Sequence, residues 1–161
     1  MKSISHEHGK INSKIVSKQI ISTVFLTILT LLTMESQAQT FKTIENKDLK
    51  LEVYNASENS FGVASVIVSG KKDAVLIDTQ FTLADAEKVA QEIKKSGKKL
   101  TTIFVSHGDP DFYFGLEVFK KYFPEVTAYA TPATIEHIKA TAQKKLYVWG
   151  ERLGKNITSN V

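Results

Sequence analysis

The feature that most constrains the fold is the alternation of strand and helix patterns in the second half of the chain. Two amphipathic helical segments separate three short apolar segments typical of buried strands: AVLIDT (74–79), LTTIFVS (100–106) and VTAYAT (126–131). A helix between two strands of one sheet is the usual parallel crossover. The pattern therefore predicts an α/β (α+β) fold, with a mixed sheet, flanking helices and at least one βαβ unit.

The preceding segment adds antiparallel strands. LKLEVYNA (49–56) alternates between apolar and polar residues, and a second strand ends near Val68. The turn Gly70–Asp73 joins that strand to AVLIDT, which predicts a hairpin. In the first helical segment, Thr82 is placed to cap the N-terminus, and Gly97 stands where a C-terminal glycine belongs.

The segment FGLEVFKKYFP (114–124) predicts a second helix, and Pro132 opens a third that continues to about Tyr147. His137 lies in this third helix, where we expect a solvated surface histidine. The tail after the helix has no clear periodicity, and Trp149 within it is a candidate wall of a substrate cleft. We expect the domain to be incomplete; a small complete α/β sandwich is the alternative.

The N-terminus has the layout of a secretory signal peptide. A lysine-bearing start is followed by IISTVFLTILTLLTM (20–34), and Ser36 and Ala38 are small residues at positions −3 and −1 of a cleavage site. The sequence therefore predicts a signal peptide over 1–38 and an exported mature chain over 39–161, periplasmic or secreted. A single anchoring helix is the alternative, although the apolar run is short for a bilayer. After cleavage we expect no stable membrane span.

Composition narrows the chemistry. The chain contains no cysteine, which excludes disulfides and thiolate metal sites. Its formal net charge is +4, and no basic cluster is interleaved with aromatic residues. We therefore expect no nucleic-acid partner.

The segment SHGDPDFYFG (106–115) concentrates polar residues at the end of a predicted strand. His107, Asp109 and Asp111 offer one nitrogen and two carboxylates, a set that suits manganese, magnesium or iron(II) better than zinc. A structural role is the alternative. Asp109 before Pro110 is a good turn residue, and Asp111 is a good N-cap for the next helix.

This segment resembles the H-x-H-x-D-H motif of the metallo-β-lactamase superfamily, and the similarity extends over about 49–139. By this resemblance His107 matches the first ligand histidine, and Asp109 stands in place of the second. Asp111 matches the aspartate that binds metal or orients the attacking water, which makes it the candidate catalytic residue. Phe112 replaces the third histidine and cannot bind a metal.

The resemblance also implies supporting residues and an architecture. Asp78 matches an aspartate that supports the metal loop, and Gly115 matches the glycine that follows the motif. The family fold is a four-layer αββα sandwich that binds zinc, of which this chain would supply the N-terminal half. The remaining ligands would lie in a C-terminal half that is missing, so the chain is apparently truncated and by itself inactive.

The implied function is an exported metal-dependent hydrolase, in which metal-activated water attacks an ester, amide or thioester of a small-molecule substrate. The alternative is a non-catalytic binding protein, or an inactive fragment, derived from the same fold. Phe112 favours the alternative, whereas the retained His107, Asp109 and Asp111 favour the enzyme.

Overall fold

The computed structural model of the protein describes residues 41–161, so the predicted signal peptide lies outside the described residues. A six-stranded sheet has its strands in chain order. They are β1 (Phe41–Glu45), β2 (Lys50–Asn55), β3 (Ala64–Ser69), β4 (Asp73–Ile77), β5 (Lys99–Phe104) and β6 (Thr127–Tyr129). The α-helices are α1 (Leu83–Ser96), α2 (Pro110–Tyr113), α3 (Leu116–Tyr122) and α4 (Pro132–Leu153), and single 3₁₀ turns span Glu58–Ser60 and Gly154–Asn156.

The sheet is mixed, as the alternating pattern predicts. Strands β1 to β4 pair antiparallel, whereas β4 pairs parallel with β5, and β5 pairs parallel with β6. Helix α1 forms the crossover from β4 to β5. The carboxyl ends of β4, β5 and β6 therefore lie at the same edge of the sheet.

One face of the sheet carries the hydrophobic core. Ile67, Leu76 and Ile103 alternate onto this face and are almost fully buried. Helix α1 covers them with its apolar stripe, and α3 adds Val118 and Phe119. The stripe consists of Ala86, Val89, Ala90 and Ile93.

The opposite face is apolar but less covered. Val66, Ile77, Phe104 and Tyr129 are cross-strand partners on it. Phe104 is 37% exposed and Tyr129 is 57% exposed. The described residues thus form a sheet with α1 and α3 packed on one face and a second face that is only partly covered.

The ends of α1 agree with the sequence prediction. The Thr82 hydroxyl accepts a hydrogen bond from the Asp85 backbone at 3.1 Å, and Gly97 adopts a left-handed φ of 67°.

The buried Asp85 carboxylate accepts hydrogen bonds from Tyr54, Ser60, Thr82 and Lys88. Burial alone would raise the pKa of Asp85, but these donors lower it. One carboxylate thus fixes α1 to β2.

Strand β1 was not predicted. It pairs with β2 at the edge of the sheet, with Phe41 opposite Tyr54. Only Phe41 is partly buried, and its ring lies 5.2 Å from that of Tyr54. Because the strand buries so little, its formation depends on pairing with β2 rather than on its own apolar pattern.

The prediction that the third helix ends near Tyr147 is wrong, because α4 continues to Leu153. Its last turns pack through Trp149, whose ring lies 5.2 Å from that of Phe81. The tail is also anchored. Asn156 accepts a hydrogen bond from the Ala84 backbone at 2.8 Å. Core contacts supplied by distant residues therefore order a segment that has no clear periodicity of its own.

The predicted second helix (114–124) corresponds to α3, whereas the short helix α2 that precedes it was not predicted. The backbone N–H of Gly115 donates to the carbonyl of Gln80 at 3.0 Å, so it does not continue α2. Asp109, not Asp111, is the N-cap residue of α2, and Asp111 lies in the first turn. The expectation that Asp111 caps the helix is therefore wrong.

Gly115 stands where no side chain fits. A Cβ built there would lie 1.8 Å from the Thr79 carbonyl oxygen and 2.7 Å from the Ala86 Cβ. This close approach seats α3 against both α1 and the loop after β4.

Among residues 41–161, no helix is long and apolar enough to cross a membrane.

We expect Gly115→Ala to lower the free energy of unfolding by about 3 kcal/mol, because backbone at Thr79 must move to admit the methyl group. Gly150→Ala is the matched control. Gly150 lies in α4 with no atom within 4 Å of a built Cβ. Alanine there should be neutral or stabilise the protein by about 0.5–1 kcal/mol. Urea unfolding of both variants checks this, and equal stabilities would contradict it.

Candidate functional site

The candidate site lies where β4 and β5 end. Strand β4 continues into Asp78, and β5 continues into Val105 and the segment Ser106–Asp109. The backbone N–H of Asp78 donates to the Phe104 carbonyl at 2.9 Å, which extends the pairing beyond the last ladder residues. The parallel register thus brings Asp78 and the histidine-bearing segment together.

Asp78 holds the loop that follows β5. Its carboxylate accepts hydrogen bonds from the backbone N–H and the hydroxyl of Ser106, both at 2.7 Å. Its carbonyl accepts from the Ser65 hydroxyl at 2.7 Å. Asp78 adopts a left-handed φ of 59°, which aspartate tolerates better than most residues. Burial raises the pKa of this carboxyl, although the bonds from Ser106 oppose the rise.

His107 and Asp109 lie together near the surface. The His107 Nδ1 atom is 3.5 Å from Asp109 Oδ2 and accepts the Asp109 backbone N–H at 3.2 Å. The side chains are 58% and 48% exposed, respectively. The ring of Phe112 lies 5.1 Å from the His107 ring and packs against the core. Phe112 therefore fills apolar volume beside the site.

Asp111 faces a cavity. The cavity has a volume of about 410 Å³ and is lined by Phe61, Phe81, Asp109, Pro110, Asp111, Lys145 and Trp149. Burial raises the pKa of Asp111, and the neighbouring Asp109 carboxylate adds to the rise. Trp149 is a wall of this cavity, as the sequence suggests.

Two residues of α4 reach the site. Lys145 Nζ donates to Asp109 Oδ1 at 2.8 Å and to the Gly108 carbonyl at 2.8 Å. It also lies 3.2 Å from His137 Nε2. The hydrogen bond from Lys145 is the main reason why the pKa of Asp109 is lowered. His137 lies on α4 with its side chain 51% exposed, as expected of a solvated helix histidine, and it also lies beside the motif.

The sequence analysis missed Lys145, although its position carries an indication. The side of α4 that packs against the core consists of Ile138, Ala142, Leu146 and Trp149. Lys145 lies on this same side, one helical turn from both Ala142 and Trp149. Its side chain is only 17% exposed. A lysine at such a position needs an acceptor for its ammonium group.

The arrangement does not fit a metal ion as it stands. Within residues 41–161, no group of three His, Cys, Asp or Glu side chains is gathered closely enough to hold one. His107 and Asp109 are adjacent, but an ammonium group already binds the Asp109 carboxylate. The assignment of His107, Asp109 and Asp111 as ligands stays a prediction.

We expect Asp78→Asn to change how stability depends on pH. Because burial raises the folded pKa of Asp78 above its ordinary 3.8, its contribution is fully present below pH 3.8 and is lost as pH rises through the folded pKa. Wild type should therefore lose stability relative to the variant as pH rises through that window. Urea unfolding across the acid range measures the difference, with the exposed Asp73→Asn as control. A constant difference would contradict the prediction.

The chain is similar to known proteins both in sequence pattern and in fold. The family model described as the metallo-beta-lactamase superfamily matches residues 59–151. No curated protein matches the chain.

Solved structures similar to the chain include the DIM-1 metallo-beta-lactamase exposed to ceftazidime, with a TM-score of 0.51 and 21% identity over 64% of this chain and 48% of that one. VMB-1 gives a TM-score of 0.52 and 16% identity over 65% and 49% of the two chains. A metallo-beta-lactamase from Hirschia baltica has a TM-score of 0.51 and 15% identity, over 64% of this chain and 48% of its own.

The chain thus spans about half the length of these structural neighbours. The neighbours support the fold: a mixed sheet with its polar loops at the carboxyl ends of β4 and β5. The family match covers more than half of the chain. The protein belongs to the metallo-β-lactamase superfamily, a family of metal-dependent hydrolases.

Proposed function

We propose that the protein is an exported hydrolase that uses water to cleave an ester, amide or thioester of a small-molecule substrate. The observation that carries this proposal is the family match over residues 59–151. The site geometry supports it, because polar side chains at the carboxyl ends of two parallel strands border a cavity of substrate size.

Asp111 is the proposed catalytic residue. It lines the cavity, it is half-buried, and its carboxylate lies on the first turn of α2. A carboxylate so placed can accept a hydrogen bond from a water molecule and orient it toward a substrate carbonyl. Phe61, Phe81 and Trp149 provide apolar walls for the non-polar part of a substrate.

His107 and Asp109 are proposed to bind and orient the polar part of the substrate. Members of the superfamily activate water with a bound metal ion, and the resemblance of the motif implies that this ion is zinc. The described residues do not gather the ligands for that step, because Phe112 replaces a histidine and Lys145 binds Asp109. We therefore assign these two residues no catalytic step.

A non-catalytic binding protein is the second candidate function. The ion pair between Lys145 and Asp109, at 2.8 Å, favours it specifically. An engaged carboxylate is a poor nucleophile or ligand, but it can form part of a rigid binding surface. The aromatic cavity would then hold a ligand without changing it.

We expect Asp111→Asn to lower kcat/KM by about 100-fold or more, because the variant can no longer accept a proton from the oriented water. The assay uses the full-length protein with p-nitrophenyl esters, thioesters and a chromogenic β-lactam. Asp48→Asn, at an exposed turn, is the matched control and should keep wild-type activity.

Activity equal in wild type and Asp111→Asn would remove Asp111 from the mechanism. If wild type hydrolyses none of these substrates while small apolar ligands bind it and quench Trp149 fluorescence, the binding-protein candidate replaces the hydrolase.

Export gives a separate prediction. We expect the mature protein to begin at Gln39, since cleavage after Ala38 satisfies the small-residue rule at both positions. Intact-mass measurement of protein from the extracytoplasmic fraction checks this, and Ala38→Lys should block processing. Unprocessed wild-type chain held in the membrane fraction would instead support the anchoring helix.

A further inference from the structure

The ammonium group of Lys145 is surrounded by polar atoms of the candidate site. It donates to a carboxylate oxygen of Asp109 and to the Gly108 carbonyl, each at 2.8 Å, and it lies 3.2 Å from His137 Nε2. A lysine ammonium has three donors: the two oxygens take two of them, and His137 Nε2 takes the third in the tautomer that leaves that nitrogen unprotonated. The side chain is 17% exposed although α4 lies at the surface.

The acceptors are the kinds of atom that a divalent cation would use. A carboxylate oxygen, a carbonyl oxygen and an imidazole nitrogen all bind metals in proteins. Here they surround a nitrogen-centred positive charge instead. We propose that Lys145 is the resident cation of this site, so that its ammonium takes the place of a metal ion and excludes divalent cations.

The approach of α4 to the loop depends on a glycine. A Cβ built at Gly108 would lie 2.6 Å from His137 Cδ2 and 3.2 Å from His137 Cβ. A side chain at this position would therefore displace the His137 imidazole from its place against the loop. The absence of a side chain at Gly108 lets His137 pack against the loop, and Lys145, two turns further along α4, then reaches Asp109.

The proposal explains how the loop holds a carboxylate between two imidazoles without a metal. His107 Nδ1 lies 3.5 Å from one oxygen of Asp109, and His137 Nε2 lies 3.9 Å from the other. Lys145 neutralises the carboxylate from within the chain. Without the ammonium, the Asp109 Oδ1 atom, the Gly108 carbonyl and His137 Nε2 would face the position that it leaves.

The first test is metal binding by the full-length protein. Zn²⁺ and Mn²⁺ are titrated into wild type and Lys145→Met by calorimetry. Methionine keeps much of the apolar stem but removes the charge. We expect Lys145→Met to bind one ion per chain about tenfold tighter or more than wild type, because the competing cation is gone. The exposed neighbour on α4 supplies the control Lys144→Met, which should match wild type.

The second test is a double-mutant cycle read by thermal unfolding. We expect Lys145→Met to lower Tm in the wild-type background, and to lower it much less when Asp109 is already Asn, because the ion pair is then absent. Equal shifts in both backgrounds would overturn the proposal. This readout also verifies that Lys145→Met is folded before metal is added.

Two metal-binding results would also overturn it. Wild type that binds one ion as tightly as Lys145→Met would mean that the lysine does not exclude metal. Failure of both proteins to bind would mean that no cation position exists for the lysine to occupy. Neither result depends on hydrolysis, so failure of this inference is separable from failure of the proposed function.

Discussion

The parallel pairing of β4 with β5 is the constraint on which the site depends. Because α1 crosses between them on the core side, both strands end at the same edge. Asp78 then lies within hydrogen-bonding distance of Ser106, and its buried carboxylate fixes the start of the histidine loop. An antiparallel β5 would send Asp109 and Asp111 to the opposite edge, away from Asp78.

The strands and helix of residues 64–104 could be predicted well because their physical determinants are local. Thr82 caps its helix through its own backbone neighbour Asp85, and Gly97 provides the left-handed residue that ends it. Strand β1 and the last turns of α4 could not be predicted in this way. Phe41 becomes ordered against Tyr54, and Trp149 against Phe81, both of which are distant along the chain.

The residues of the candidate site also fall into two groups, those that local sequence reveals and those that only tertiary packing brings in. His107, Asp109 and Asp111 lie close together in the sequence, so a motif reveals them, although the last of them belongs to α2. Lys145 and His137 enter from a helix whose position is set by packing against that loop. A lysine on the apolar side of α4 indicates a partner, but it does not say which one. The distinction matters for function, because Lys145 occupies the Asp109 carboxylate that a motif alone would leave available for binding.

The contact between Gly108 and His137 has a consequence for how the chain can change over evolutionary time. A built Cβ at position 108 meets the imidazole at 2.6 Å. A lineage that acquires alanine or any larger residue at 108 must therefore turn the imidazole away, replace it with a smaller side chain, or shift α4. What position 108 can accept is thus set by the residue at 137, far along the chain, whereas a smaller residue at 137 needs no change at 108.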